Sequence, residues 1–210
     1  MRILGVDPGL TRCGLGVVEV DSARRATLVG VSVARSSRGL ATHFRLRDVA
    51  NAVAQAIVTY EPDVVAIERV FTQDNLQSVV PTTQAMGAAM AEVGRAGLPL
   101  AVYTPSEIKA SVTGSGRAEK AQVQHMVARI LRLPTVPKPA DAADALAIAI
   151  CHAWRGTGLL GAGSDSVVEV TLSGKVSTTA DLTPAQRRWA EAQAAQKRKG
   201  AVDPRRQLPR

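Results

Sequence analysis

Residues 5–18 read GVDPGLTRCGLGVV, an apolar run broken by a single carboxylate, Asp7, turned at Pro8-Gly9 and then resumed. With their flanks, RILGVDP and GLGVVEVD predict two β-strands joined by a tight turn, and ATLVGVSVAR predicts a third, so the chain opens as an antiparallel meander. A carboxylate at the end of a buried strand is costly unless something answers its charge. Asp7 is therefore either the first corner of an Asp-Pro-Gly turn or the partner of groups elsewhere in the chain.

Working outward, THFRLRDVANAVAQAIVTY repeats apolar residues at helical spacing through Phe44, Val49, Val53 and Ile57, and Pro62 stops it. The short buried run VVAIE follows, as a parallel strand reached by a crossover helix. A second long helix is expected from about Pro81 to Arg95, a strand at LPLAVYT, a short helix from Pro105, another from Glu119 to Leu131 and a last one from Asp141 to Trp154. Strands in a meander, then strands alternating with helices, make an α/β fold with a mixed five-stranded sheet flanked by helices.

Composition narrows the class. The 210 residues are 46% apolar, enough for one ordinary core, and carry a net charge of +8, a balance that suits a polyanionic partner. Residues 155–210 hold 10 basic against 5 acidic side chains, and after a Gly- and Ser-rich stretch include TPAQRRWAEAQAAQKRK, a credible helix from the N-cap Thr183. The expected division is a folded domain over 1–154 and a basic linker and tail, partly helical or disordered, over 155–210. Cys13 and Cys151 form no disulfide framework or zinc motif and are expected to be buried and inert. No secretory leader is visible and no apolar run reaches the roughly 18 residues of a membrane span, so the expected compartment is the cytoplasm, away from membranes.

Glu68 ends VVAIE as Asp7 ends ILGVD, and Asp141 and Asp144 in KPADAADALAIAI share a helix face. If the strands are neighbours and the helix packs across their ends, four carboxylates converge, and such a cluster needs divalent cations. Two ions roughly 4 Å apart suit an in-line displacement at phosphorus. Taken singly, each acid has a plainer role: Asp7 in its turn, Glu68 as a solvated strand end, Asp141 and Asp144 as the N-cap and N3 acids of a capping box.

The words GVDPGLTRCGLGVV, AIERVF, GSGRAEKAQVQHMV and ADAADALAIAICHA, in that order, resemble the RuvC family of Holliday junction resolvases, whose fold is ribonuclease H-like. The resemblance covers residues 1–154 and implies that Asp7, Glu68, Asp141 and Asp144 are catalytic metal ligands, for two Mg²⁺ ions per site with Mn²⁺ as a substitute. It implies Lys109 and Lys120 beside the scissile phosphate and Phe71 stacking on an unpaired base. Arg69, next to Phe71, and Ser115 and Arg117, in the glycine-flanked loop before Lys120, are further candidates for DNA contact outside the family pattern, with a plain flexible loop as the alternative at 114–116. A homodimer meeting through the small-residue helix at Ala85, Met86, Ala89 and Met90 is implied too, though burial within one subunit explains those residues as well. The implied activity is a pair of symmetric nicks in a four-way DNA junction during recombination and repair, in partnership with the RuvA–RuvB branch-migration complex. His125 and His152 read as structural.

Two other classes compete. Actin-like ATPases carry a similar phosphate loop, but need two such domains, and no second loop is present. A junction-binding adaptor would keep the lysines and Phe71 yet have no use for four acids. The basic tail generates its own prediction: deleting residues 156–210 flattens the dependence of DNA binding on salt, measured as the slope of log affinity against log salt. An unchanged slope would remove the tail from the interface.

Overall fold

The computed structural model describes residues 1–70 and 76–156. Three strands, β1 (Arg2–Asp7), β2 (Arg12–Val20) and β3 (Ala26–Arg35), form the expected meander, and α1 (Thr42–Tyr60) leads to β4 (Val64–Glu68). Then come α2 (Leu76–Arg95), β5 (Leu100–Tyr103), α3 (Pro105–Thr113), α4 (Lys120–Ile130) and α5 (Ala140–Arg155). The sheet runs in the order β3-β2-β1-β4-β5, with β1 antiparallel to β2 and parallel to β4, and β4 parallel to β5.

Side-chain alternation splits β1 and β4 between two cores. Leu4, Val6, Val65 and Ile67 point to the layer of α1 and α2, where they pack with Val49, Val53, Ala85 and Ala89. Ile3 and Ala66 point to the other face, against α5 and, behind it, Ile108 and Val112 of α3 and Val123 and Val127 of α4. Ten residues of α5 are buried, because the helix lies between the sheet and two other helices.

That burial depends on glycine. Gly5 pairs with Gly16 and Asp7 with Gly14 in the β1–β2 register, so three glycines open a smooth strip on one face of the sheet. A Cβ on Gly5 would stand 2.1 Å from the Ala145 carbonyl oxygen, and one on Gly14 would stand 2.2 Å from that of Asp141. Helix backbone thus rests on strand backbone, with Ala145 and Ala149 filling what little space remains.

Three expectations need correction. Phe44 is not in the core but 43% exposed, lying against His43 and Arg47. The core-facing stripe of α1 is Leu46, Val49, Val53 and Ala56, and a step of five residues from Phe44 to Val49 turns the helix about 140° off that face. Helix α2 starts at Leu76, five residues before the expected start at Pro81, and carries Pro81 inside it. Ala85 and Ala89, expected at a dimer interface, are both 0% exposed in the subunit's own core, and Met86 and Met90 pack partly against it, because this face of α2 covers the sheet.

Both cysteines are buried and free, as expected. His152 is half-buried with Nδ1 2.8 Å from the Tyr103 hydroxyl, a structural role, but His125 is exposed on α4. Among the described residues no helix is long and apolar enough to cross a membrane. The readings of Phe71 and of the tail beyond Gly156 lie outside the described residues.

The strip is open to test. Gly5→Ala forces helix from sheet and should lower the unfolding free energy by about 3 kcal/mol, read as an earlier urea midpoint at unchanged m. Gly94→Ala, in α2 with nothing within 4 Å of the added carbon, should instead gain about 0.5–1 kcal/mol. Equal midpoints for the two variants would refute the close-packing account.

Candidate active site

Asp7 lies two residues beyond Gly5 and Glu68 two beyond Ala66, so both carboxylates point to the α5 face, at the ends of neighbouring parallel strands. Helix α5 crosses those ends with its first turns: Asp141 is its second residue and Asp144 its fifth. The helix is preceded by Pro139 with no side-chain cap, so neither aspartate is used up in a capping box. Nor is the Asp7 carboxylate held by hydrogen bonds from its own turn among the described residues.

The four acids feel one another. Burial first, and then the charges of Glu68, Asp144 and Asp141, push the Asp7 carboxyl up to about 7, with Lys120 opposing. Burial and then Asp144 likewise push Glu68 up to about 7, against the pull of Lys120 and Lys109. Asp144 is raised by burial despite its hydrogen bond from Lys120. Partial burial lowers the pKa of Lys120, but the hydrogen bond and charge of Asp144 together with the charges of Asp7 and Asp141 outweigh it, and the net shift is upward.

The lysines are placed by local structure. Helix α3 begins with a capping box in which the Thr104 hydroxyl accepts from the Glu107 N–H and the Glu107 carboxylate accepts from the Thr104 N–H, fixing the turn that carries Lys109. Lys120 is the first residue of α4, a position where the helix dipole disfavours a cation, and it is held there by Asp144 at 2.6 Å. Lys109, Lys120, Glu68 and Asp144 line one cavity of about 210 Å³. Arg69, Ser115 and Arg117 are exposed, and Gly114 (φ 81) ends α3 just before the last two.

Asp141 has a partner the sequence did not suggest, the Arg12 guanidinium, with Nε to Oδ2 3.0 Å. With Asp144 drawn to Lys120 and Asp141 to Arg12, no three carboxylate, imidazole or thiolate groups among the described residues stand together at ligating distance. The donor set nevertheless fits a hard divalent cation. All the candidate ligands are carboxylate oxygens, and burial together with neighbouring acids holds Asp7 and Glu68 up to about 7 although two lysines adjoin them, so a cation in the pocket would favour their charged forms.

Residues 3–152 match the family model described as crossover junction endodeoxyribonuclease RuvC. The chain belongs to the RuvC family. A RuvC of Paenarthrobacter aurescens is 49% identical over 95% of this chain and 98% of its own, and one of Leifsonia xyli is 52% identical over 92% of each. Both matches run past residue 154, into the tail that the expected pattern left out. The structure titled "T. thermophilus RuvC in complex with Holliday junction substrate" superposes with a TM-score of 0.71 at 35% identity, over 74% of this chain and 94% of that one. The mixed five-stranded sheet and this superposition make the fold of this chain ribonuclease H-like.

The raised carboxyls predict a pH signature for the cation-free protein. An acid whose folded pKa is raised carries a stability penalty that is absent below its unfolded value of roughly 4 and complete above about 7. Asp7→Asn should therefore stabilise the chelator-treated protein by on the order of 2 kcal/mol at about pH 8 and have little effect at about pH 4, as followed by urea unfolding. A gain that shrinks as pH rises would contradict the cluster.

Proposed function

We propose that this chain is a Holliday junction resolvase, acting in the cytoplasm as a homodimer that hydrolyses one phosphodiester in each of two strands of a four-way DNA junction during recombination and repair. The observation that carries the reading is that the charges of Glu68, Asp141 and Asp144 all reach Asp7, with Lys109 and Lys120 beside Glu68, in a chain of the RuvC family. An adaptor that only binds junctions has no reason to gather four acids whose mutual repulsion it must bear.

In this reading the four carboxylates hold divalent cations, Mg²⁺ with Mn²⁺ as a substitute. When bound, such cations ready a water for attack and stabilise the departing oxygen. The protein's own groups do the positioning. Lys109 and Lys120, which line the cavity with Glu68 and Asp144, can each donate to a phosphate oxygen and offset charge that grows in the transition state. Exposed Arg69, Ser115 and Arg117 are suited to strand contacts, and Phe71 to stacking on an unpaired base at the junction centre.

With Ala85 and Ala89 buried, the dimer contact moves to the outward face of α2, where Thr83, Gly87 and Ala91 are exposed and open space surrounds Gly87. The RuvA–RuvB branch-migration complex is the expected partner upstream of cleavage. The basic tail from residue 155 is read as a separate, nonspecific phosphate contact.

The test is a synthetic four-way junction with a mobile core, incubated with Mg²⁺ and mapped for nicks. Paired symmetric nicks are expected. Asp141→Asn should lower cleavage by about a thousandfold while metal-free junction binding persists, and Lys120→Ala by about a hundredfold. A junction left intact by the unmutated protein would transfer the reading to the adaptor.

A further inference from the structure

A second cavity, of about 360 Å³, adjoins the carboxylate cluster through Asp141, which lines it. Its lining includes three arginines, Arg12, Arg38 and Arg45, and one carboxylate, Asp141, which pairs with Arg12. Like charges around a single hollow repel one another, and an anion between them would relieve that repulsion.

Arg45 shows that the arrangement is built. Its Nε donates to the Ser36 hydroxyl at 3.0 Å and its Nη2 to the Thr11 hydroxyl at 2.8 Å, both neutral acceptors that fix the fork without cancelling its charge. Ser36 is itself buried, and its hydroxyl donates to the Leu10 carbonyl, so a core position is given over to aiming an arginine. Arg38 is exposed and meets no carboxylate among the described residues. Arg12 closes the set from the other side, its Nε on Asp141.

We propose that this cavity is a second phosphate subsite, which seats a phosphodiester of the DNA strand next to the one that is cut. Guanidinium forks match phosphate oxygens two at a time, and the neutral hold on Arg45 prepays the ordering of its side chain. The subsite rests on the junction-cleaving reading and adds to it: the strand is gripped on the Asp141 side of the acids by arginines, and on the Glu68 side by lysines. Its effect is to fix where along the strand the scissile phosphate stops.

The test uses the full chain, without divalent cation, on four-way junctions in which one phosphate at a time is replaced by a neutral methylphosphonate. Arg38→Ala, at an exposed position, should leave the urea midpoint unchanged, weaken junction binding about tenfold and make the log-log salt slope shallower by about one. One methylphosphonate, at a phosphate adjoining the cut, should weaken the unmutated protein about tenfold yet leave the variant no weaker than it already is. The same non-additivity is expected of Arg45→Lys, which keeps charge and loses the fork. A variant that binds like the unmutated protein, or that loses equally at every substituted phosphate, would overturn the subsite while leaving the resolvase reading intact. An unmutated protein that neither binds nor cuts the unmodified junction would overturn both.

Discussion

Helix α5 can reach the sheet only because the strands beneath it have no side chains in the way. Gly5, Gly14 and Gly16 remove the layer of Cβ atoms that normally holds a helix at side-chain distance, and the alanines of the helix meet them. Everything at the site inherits this contact. It brings the first turns of α5 over the ends of β1 and β4, and hence Asp141 and Asp144 to Asp7 and Glu68, which alternation has already turned to the same face. The glycines and the acids are thus one device, the former setting the distance at which the latter interact.

The electrostatic consequence is a pocket held away from neutrality. Burial alone would raise the strand-end acids, and their neighbours add to it, while Lys120, Lys109 and Arg12 offset only part of the charge. Placing Lys120 on the first residue of α4, against the helix dipole, fits this picture: the ion pair with Asp144 decides the position, and the helix tolerates it. Site and scaffold are here in mild conflict, as expected where structure serves chemistry.

Much of this was legible in the chain. Strand pattern, Pro-Gly turn and helical spacing located every element of the described domain, and the two strand-end acids and the i, i+3 aspartates named the cluster before any distance was known. Readings that failed did so for particular reasons. Small residues line both faces of α2, so Ala85 and Ala89 could not be assigned to core or interface by size alone. Phe44 was placed by its hydrophobicity although its spacing was off the stripe. Arg12 and Arg45 were invisible because nothing local distinguishes an arginine with tertiary partners from a solvated one; their meaning lies in contacts with Asp141, Ser36 and Thr11, which only the fold creates.

The two faces of the sheet differ in how freely they can diverge. On the α1 and α2 side, Val, Leu and Ile interlock through branched side chains, and one can shrink as another grows. On the α5 side, backbone touches backbone, and no compensating exchange can restore a lost glycine. Randomised libraries for this chain would therefore yield active clones richly from the first side and sparsely from the second, even at positions remote from every ionisable group.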